Sequence, residues 1–323
     1  MIHLIRKKII TSACILWLGI AVSSANAENS KTAESGAKTH SAVNYAANTL
    51  TSSSTHSNEL VKSTAPKSIL HITTPPLEKS AHVHEAFFLQ VLQLALEKNV
   101  ATDGPFVIEQ HREHFSHKRF LSELSRENGA IDIIWTMNDK RREQELLPIK
   151  ISLLRGLNSY RIFLIRKEDQ EKFNSITTLQ DLSKLAAGSG AIWPDTPILE
   201  SNGLPVITAA HYELLFTMLA AKRFDYFPRG LYEIWNEQQA NIDKQFSIEQ
   251  TLMLHYPAPI YFFVNKKNAA LANRIERGLL LAMNDGSFDR LFFSIPGFKK
   301  GFDEMHNSSR RILTLTTNYN DGD

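Results

Sequence analysis

The sequence predicts an α/β fold of two lobes, each a mainly parallel sheet flanked by helices and hinged by two crossing segments. Three observations lead there. Strand-like and helix-like stretches alternate over residues 68–137, the alternation restarts after a long extended stretch near residue 160, and a proline-bearing extended stretch at 252–265 brings the chain back.

The elements follow in order. Residues 1–27 carry Arg6, Lys7 and Lys8, an apolar run and Ala25-Asn26-Ala27, the order of a cleavable secretory signal peptide. The run is shorter than the roughly 20 residues a membrane span needs, and Cys14 is expected to leave with the signal. The whole chain holds 36 Lys+Arg against 34 Asp+Glu; the signal holds three bases and no acids, so 33 stand against 34, a formal charge of −1. The basic balance of the full chain therefore gives no reason to expect a nucleic-acid partner. Without its one cysteine the remainder has no disulfide and no thiol nucleophile. Residues 28–66 are rich in Ser, Thr, Ala and Asn with scattered apolar residues and no sustained period, which predicts a disordered tether.

From residue 67, "SILHIT" predicts a strand, 80–99 an amphipathic helix with Phe87, Val91, Leu94 and Ala95 on one face, and "PFVIEQ" the next strand. A helix over 118–128 and the apolar strand "AIDIIWTM" complete a βαβαβ order. The second alternation gives a helix over 177–185, a short strand "GAIWP", a short helix ended by Gly203, a strand "LPVIT", a helix over 211–223, a strand "FDYFP" and a helix over 230–241. Pro257 and Pro259 hold the return crossing extended, and the final helix over 269–293 breaks near Asp285-Gly286. Lobe 1 is expected over 67–156 with 257–302, lobe 2 over 157–256, and a tail without readable function over 303–323. Ligands of such sheets bind beyond the carboxyl ends of strands, so those loops hold the candidates.

At the end of the strand at 130–137, Asp132 is followed by Thr136, Asn138, Arg141 and Arg142. This pattern resembles the type II periplasmic solute-binding proteins, in particular the extracellular family that binds polar amino acids. Their signature runs from an Asp through two Thr to an Arg; here it is shorter, with Asn138 where the second Thr usually stands. The resemblance covers most of residues 67–300. It implies a periplasmic protein that captures a small polar or anionic, carboxylate-bearing solute in the interlobe cleft, closes on it, and delivers it to an inner-membrane permease or a sensor. It also implies that Arg141 holds the ligand carboxylate through its planar fork, helped by Thr136 and Asn138. The bland alternative has Arg141 and Arg142 solvating a surface helix with Glu143 and Glu145.

In the second lobe, Thr196 loosely matches a turn that such proteins use to bind ligand, Asp195 is expected to cap the short helix, and Trp193 is either core or a stacking wall. Arg229 stands where amino-acid binders typically carry an acid, with a pairing to Glu233 as the bland alternative. The ligand-binding candidates are thus Arg141, Thr136, Asn138, Trp193, Thr196, Arg229 and Arg142. His111, His114 and His117, and the pair His82 and His84, share no common face, so solvated histidines are expected and no metal or cofactor. A monomer without catalytic residues is the expectation. The rival is a dehydratase or lyase on the same scaffold, for which Glu200, Asp195 and Glu233 are the conceivable acids.

Overall fold

The structure, a computed structural model, describes residues 67–77 and 83–317. The predicted signal peptide, Cys14 and the tether lie outside the described residues, as do His82 and the side chain of His84. No helix among the described residues is long and apolar enough to cross a membrane.

Strands β1 (Leu70–Thr74) and β2 (Phe106–Gln110) pair in parallel from Leu70 opposite Phe106 to Thr74 opposite Gln110. Between them run α1 (Val83–Glu97) and the short α2 (Val100–Asp103). The apolar stripe expected on the first helix is the buried face of α1, where Phe87, Val91 and Ala95 are inaccessible to solvent. Then α3 (His117–Ser125) leads to β3 (Ile133–Met137), which lies beside β1 because Asp132 accepts the Thr73 amide at 2.7 Å and donates its own amide to Thr73 O at 2.8 Å. After α4 (Lys140–Glu145) comes β4 (Leu146–Ile149). Both β3 and β4 pair antiparallel with the returning strand, giving the order β3-β11-β4, with β11 at Ile260–Asn265.

The second sheet starts with β5 (Tyr160–Arg166) and continues through α5 (Gln170–Asn174), α6 (Leu179–Leu182), β6 (Ala187–Gly190), α7 (Asp195–Ser201), β7 (Val206–Ala209), α8 (Tyr212–Ala220) and β8 (Tyr226–Gly230). It closes with α9 (Ile234–Ala240), β9 (Phe246–Ile248) and β10 (Leu252–His255). Its order is β12-β10-β5-β8-β6-β7, with β9 also on β5. Parallel pairing holds for β6 with β7 and with β8, while the crossing strand β5 runs antiparallel to β8, β9 and β10. The described strands and helices belong to one compact unit.

Three local expectations need correction. The strand placed on "GAIWP" sits earlier, on Ala187–Gly190, because Phe224 fills the space a side chain at Gly188 would need. Arg229 is not in a loop before a helix but inside β8, opposite Ile162. The expected tail is folded: α10 (Ala269–Asn284) breaks at Gly286 into α11 (Ser287–Ser294), then α12 (Phe298–Asn307) and β12 (Arg311–Thr314) follow, and β12 pairs in parallel with β10. The chain thus passes between the sheets three times, through residues 150–159, 256–259 and 295–310. Phe298 sits on the third pass, its ring 5.0 Å from Phe87 of α1 and 6.4 Å from Tyr232 beyond β8.

Candidate functional site

Between the sheets lies a cleft of about 630 Å³. It shares Met137, Trp193, Arg229, Tyr232, Glu233 and Ile260 with a smaller cavity of about 200 Å³ that reaches Asn158, Arg161 and Asp195. The wall from the second sheet is a buried charged network. Arg229 donates from Nε and Nη2 to the two oxygens of Glu237 at 2.7 and 2.6 Å, and its Nη2 also pairs with Glu233 at 3.0 Å. The Tyr212 hydroxyl donates to Glu237 at 2.7 Å, and the Gly230 amide donates to Glu233 at 2.9 Å. Deeper in, Arg161 donates to Asp195 from Nη2 at 2.8 Å and from Nε at 3.1 Å, and the Tyr256 hydroxyl donates to the same oxygen.

These contacts set the protonation of the wall. Burial would raise the Asp195 carboxyl, but Arg161 and the Tyr256 hydroxyl outweigh it and hold it below the usual range. Glu233 goes the other way. Burial pushes its carboxyl up, Arg229 pulls it down and Glu237 pushes it up again, leaving it at about 7. One guanidinium serves two carboxylates there.

Two glycines let aromatic rings close over this network. A side chain at Gly190 would lie 2.4 Å from the Trp193 ring, and one at Gly230 would lie 2.5 Å from the Tyr232 ring. Trp193 consequently folds back over the end of β6, stacked on Phe227 at 6.1 Å with the Arg229 guanidinium 4.9 Å from its ring. The facing wall carries Phe88 of α1 stacked on Trp135 of β3 at 5.7 Å, with Thr136 and His117 beside them. His117 Nε2 lies 3.2 Å from Thr136 Oγ1. The protein around this imidazole and the nearby Arg142 lower its pKa, against an upward pull from Asp139. His117 is exposed and lines the cleft, as expected of a solvated histidine.

Of the residues singled out from the sequence, the structure brings Thr136, Trp193 and Arg229 together on the cleft. The other ligand-binding candidates stand elsewhere, while Glu233, the alternative partner weighed for Arg229, makes that pair and lines the cleft. Arg141 is 77 % exposed and paired with Glu145 at 3.0 Å, along a neighbouring groove of about 350 Å³ with Lys140, Pro197 and Ile198. Arg142 donates to the Met137 carbonyl at 2.9 Å and pairs with Asp139, which caps α4. Asn138 is buried and donates to Glu143 at 2.8 Å. Thr196 is buried and donates to the Gly190 carbonyl at 2.7 Å, while its own amide is taken by Trp193 O. Asp195 is the first residue of α7 rather than its cap, with its carboxylate turned to Arg161. Sequence reasoning missed Arg161, Tyr256, Tyr212 and Glu237. Asp195 lies 34 residues from Arg161 and 61 from Tyr256, and no local spacing marks such partners.

No protein-family model matches the chain, and neither does any curated protein. Among solved structures, the chain is similar to an ancestral arginine-binding protein bound to arginine (15 % identity, TM-score 0.52, 71 % of this chain and 98 % of that one). It is also similar to an ancestral arginine-binding protein bound to glutamine (14 %, 0.53, 71 % and 98 %). A third is a probable amino-acid ABC transporter extracellular-binding protein from Bacillus subtilis (14 %, 0.52, 72 % and 98 %). At this distance the likeness establishes the fold: the chain has the α/β fold of the type II periplasmic binding proteins.

Proposed function

We propose that the protein is a solute-binding protein that captures a small polar solute in the cleft between its two halves. The observation that carries this reading is the cleft itself. Aromatic residues of both sheets line some 630 Å³, together with polar groups fixed in place by their own hydrogen bonds. Thr136, Trp193 and Arg229 are its ligand-facing members among the residues predicted from sequence. Asn138, Arg142 and Thr196 support the walls. A carboxylate-bearing solute would have to draw Arg141 from Glu145, or Arg229 from two carboxylates. In this reading the halves are lobes, residues 67–156 with 257–302 and 157–256, that close on the solute, and the C-terminal strand adds a third connection that limits the swing. A periplasmic location and a permease or sensor as the downstream partner belong to the same proposal.

A thermal-shift screen of the purified protein against amino acids, dicarboxylates, polyamines and short peptides tests it. One class is expected to raise the melting temperature, and Trp193→Ala is expected to abolish that rise. No stabilisation by any class overturns the reading. Glu233 favours a second reading, an enzyme on this scaffold, because a carboxyl poised near 7 in a cleft suits a general acid or base. Recovery of the bound solute unchanged by NMR after long incubation decides for the binder. Turnover abolished by Glu233→Gln decides for the enzyme.

A further inference from the structure

The charges lining the cleft and its smaller companion cavity do not balance. Glu85, Asp195, Glu213, Glu233 and Glu237 supply five carboxylates, and Arg161 and Arg229 supply two guanidinium groups. Arg161 is matched one to one by Asp195. Arg229 is shared by Glu237, which takes both ends of the fork, and by Glu233, whose remaining partners are two uncharged donors, the Gly230 amide and the Tyr232 hydroxyl. Both carboxylates are buried, at 1 % and 6 % exposure. A second buried carboxylate on one guanidinium calls for another positive partner, either a proton or a bound cation.

We infer that the solute is an organic cation bearing an ammonium or guanidinium group, and that on entering the cleft it replaces a proton on the Arg229–Glu233–Glu237 cluster. This rests on the reading of the cleft as a solute site. Among the described residues, Arg229 is the cation paired with Glu233. The groups facing Glu233 from its own side are Arg229, Tyr232 and Glu237, with Arg161 from β5, Asp195 from α7 and Tyr212 from α8, whose hydroxyl is on Glu237. Across the cleft stand Glu85 and His117, and His211 lines the same cleft. The elevated Glu233 carboxyl agrees with a proton occupying the cluster when the cleft holds no solute. The aromatic wall suits the same ligand, since Trp193, Tyr212, Tyr232 and Trp135 line the cleft and aromatic rings attract cations. Glu233 still has lone pairs for a further donor, because a carboxylate accepts about four hydrogen bonds.

Proton balance follows directly. Below about pH 7 the neutral Glu233 carboxylic acid gives up its O–H proton to the buffer as the cation's N–H donors take that oxygen. Affinity for the cation should therefore rise up to about tenfold per pH unit from pH 5.5 to 7 and level off above. Isothermal titration calorimetry of the full chain with putrescine, agmatine and arginine, set against glutamine, glutamate and succinate, tests this. At pH 6, buffers of different ionisation enthalpy count the protons. Expected is cation binding with release approaching one proton, and at least tenfold weaker binding without release in Glu233→Gln. The wild-type proton count stands even if that variant fails to fold. Binding confined to neutral or anionic solutes, or cation binding with no proton release at pH 6, overturns the inference and leaves the solute-binding reading intact. Absence of binding across the whole panel overturns that reading as well.

Discussion

On the wall formed by β5, β8, α7 and α9, charged side chains are buried and hold one another, whereas on the wall formed by β3 and α4 Arg141 stands in solvent with Glu145 and Arg142 serves its own helix. Both walls are rich in arginine. The first wall joins strand to helix, Arg161 of β5 to Asp195 of α7 and Arg229 of β8 to Glu237 of α9, so its geometry is fixed by the packing of those elements. The second draws them from one helical turn, and the pairs follow the spacing of that helix. Arg141 and Arg142 are thus satisfied within their own helical turn, whereas Arg229 reaches across to the helix after its strand and Arg161 to a partner 34 residues away.

The largest effect should come from Arg229. Arg229→Ala leaves Glu233 and Glu237 buried without their shared partner, which should cost on the order of 3–5 kcal/mol in urea denaturation. Arg229→Lys should recover only part of it, because an ammonium lacks the fork that meets both Glu237 oxygens. A loss under about 1 kcal/mol would mean that this wall is as loosely held as the other.

Titration sharpens the same comparison, since two carboxyls on the buried wall have opposite signs. Asp195 is depressed in the folded protein, so its contribution is present above its unfolded pKa and lost as pH falls through the folded value. Glu233 rises from the ordinary 4.5 to about 7, so its contribution is full below 4.5 and lost as pH rises through 7. In urea titrations across pH, Glu233→Gln should flatten stability between 4.5 and 7, and Asp195→Asn should flatten it on the acid side. Both variants changing the same window would contradict the assigned contacts.

A smaller effect tests how the wall was built. Gly190→Ala puts a methyl 2.4 Å from the Trp193 ring, so the ring must move and the cost should be about 1–3 kcal/mol, with Trp193 fluorescence shifted. This position also marks the limit of what the sequence revealed. The strands β1, β2 and β3, the buried face of α1 and the break at Gly286 were legible because their apolar residues repeat with the period of their elements or because a glycine interrupts them. Ala187–Gly190 has no large apolar residue to show a period, since a neighbouring Phe224 supplies the bulk. β12 was hidden by its own pattern, with three of its four residues exposed along the sheet edge. Of the site, Thr136, Trp193 and Arg229 were found at strand ends, while Arg161, Tyr256 and Glu237 acquire meaning only through partners the fold brings to them.

The smallest effect should come from the residue that stood out first. Arg141 pairs with Glu145 one helical turn away, at 77 % exposure, so Arg141→Ala should change stability by only about 0.3–0.5 kcal/mol. Arg142→Ala should cost more, about 1–2 kcal/mol, because it removes a bond to the Met137 carbonyl and the partner of the helix cap Asp139. Binding measurements on the same two variants separate this from a role in ligand recognition. If the exposed guanidinium gripped a solute carboxylate in the closed protein, Arg141→Ala would weaken affinity by about 2–4 kcal/mol while leaving stability nearly untouched. With a cationic solute neutralising the buried wall instead, affinity should be insensitive to Arg141 and fall sharply with Glu233. Calorimetry on Arg141→Ala and Glu233→Gln with one solute therefore tells which of the two walls selects the ligand.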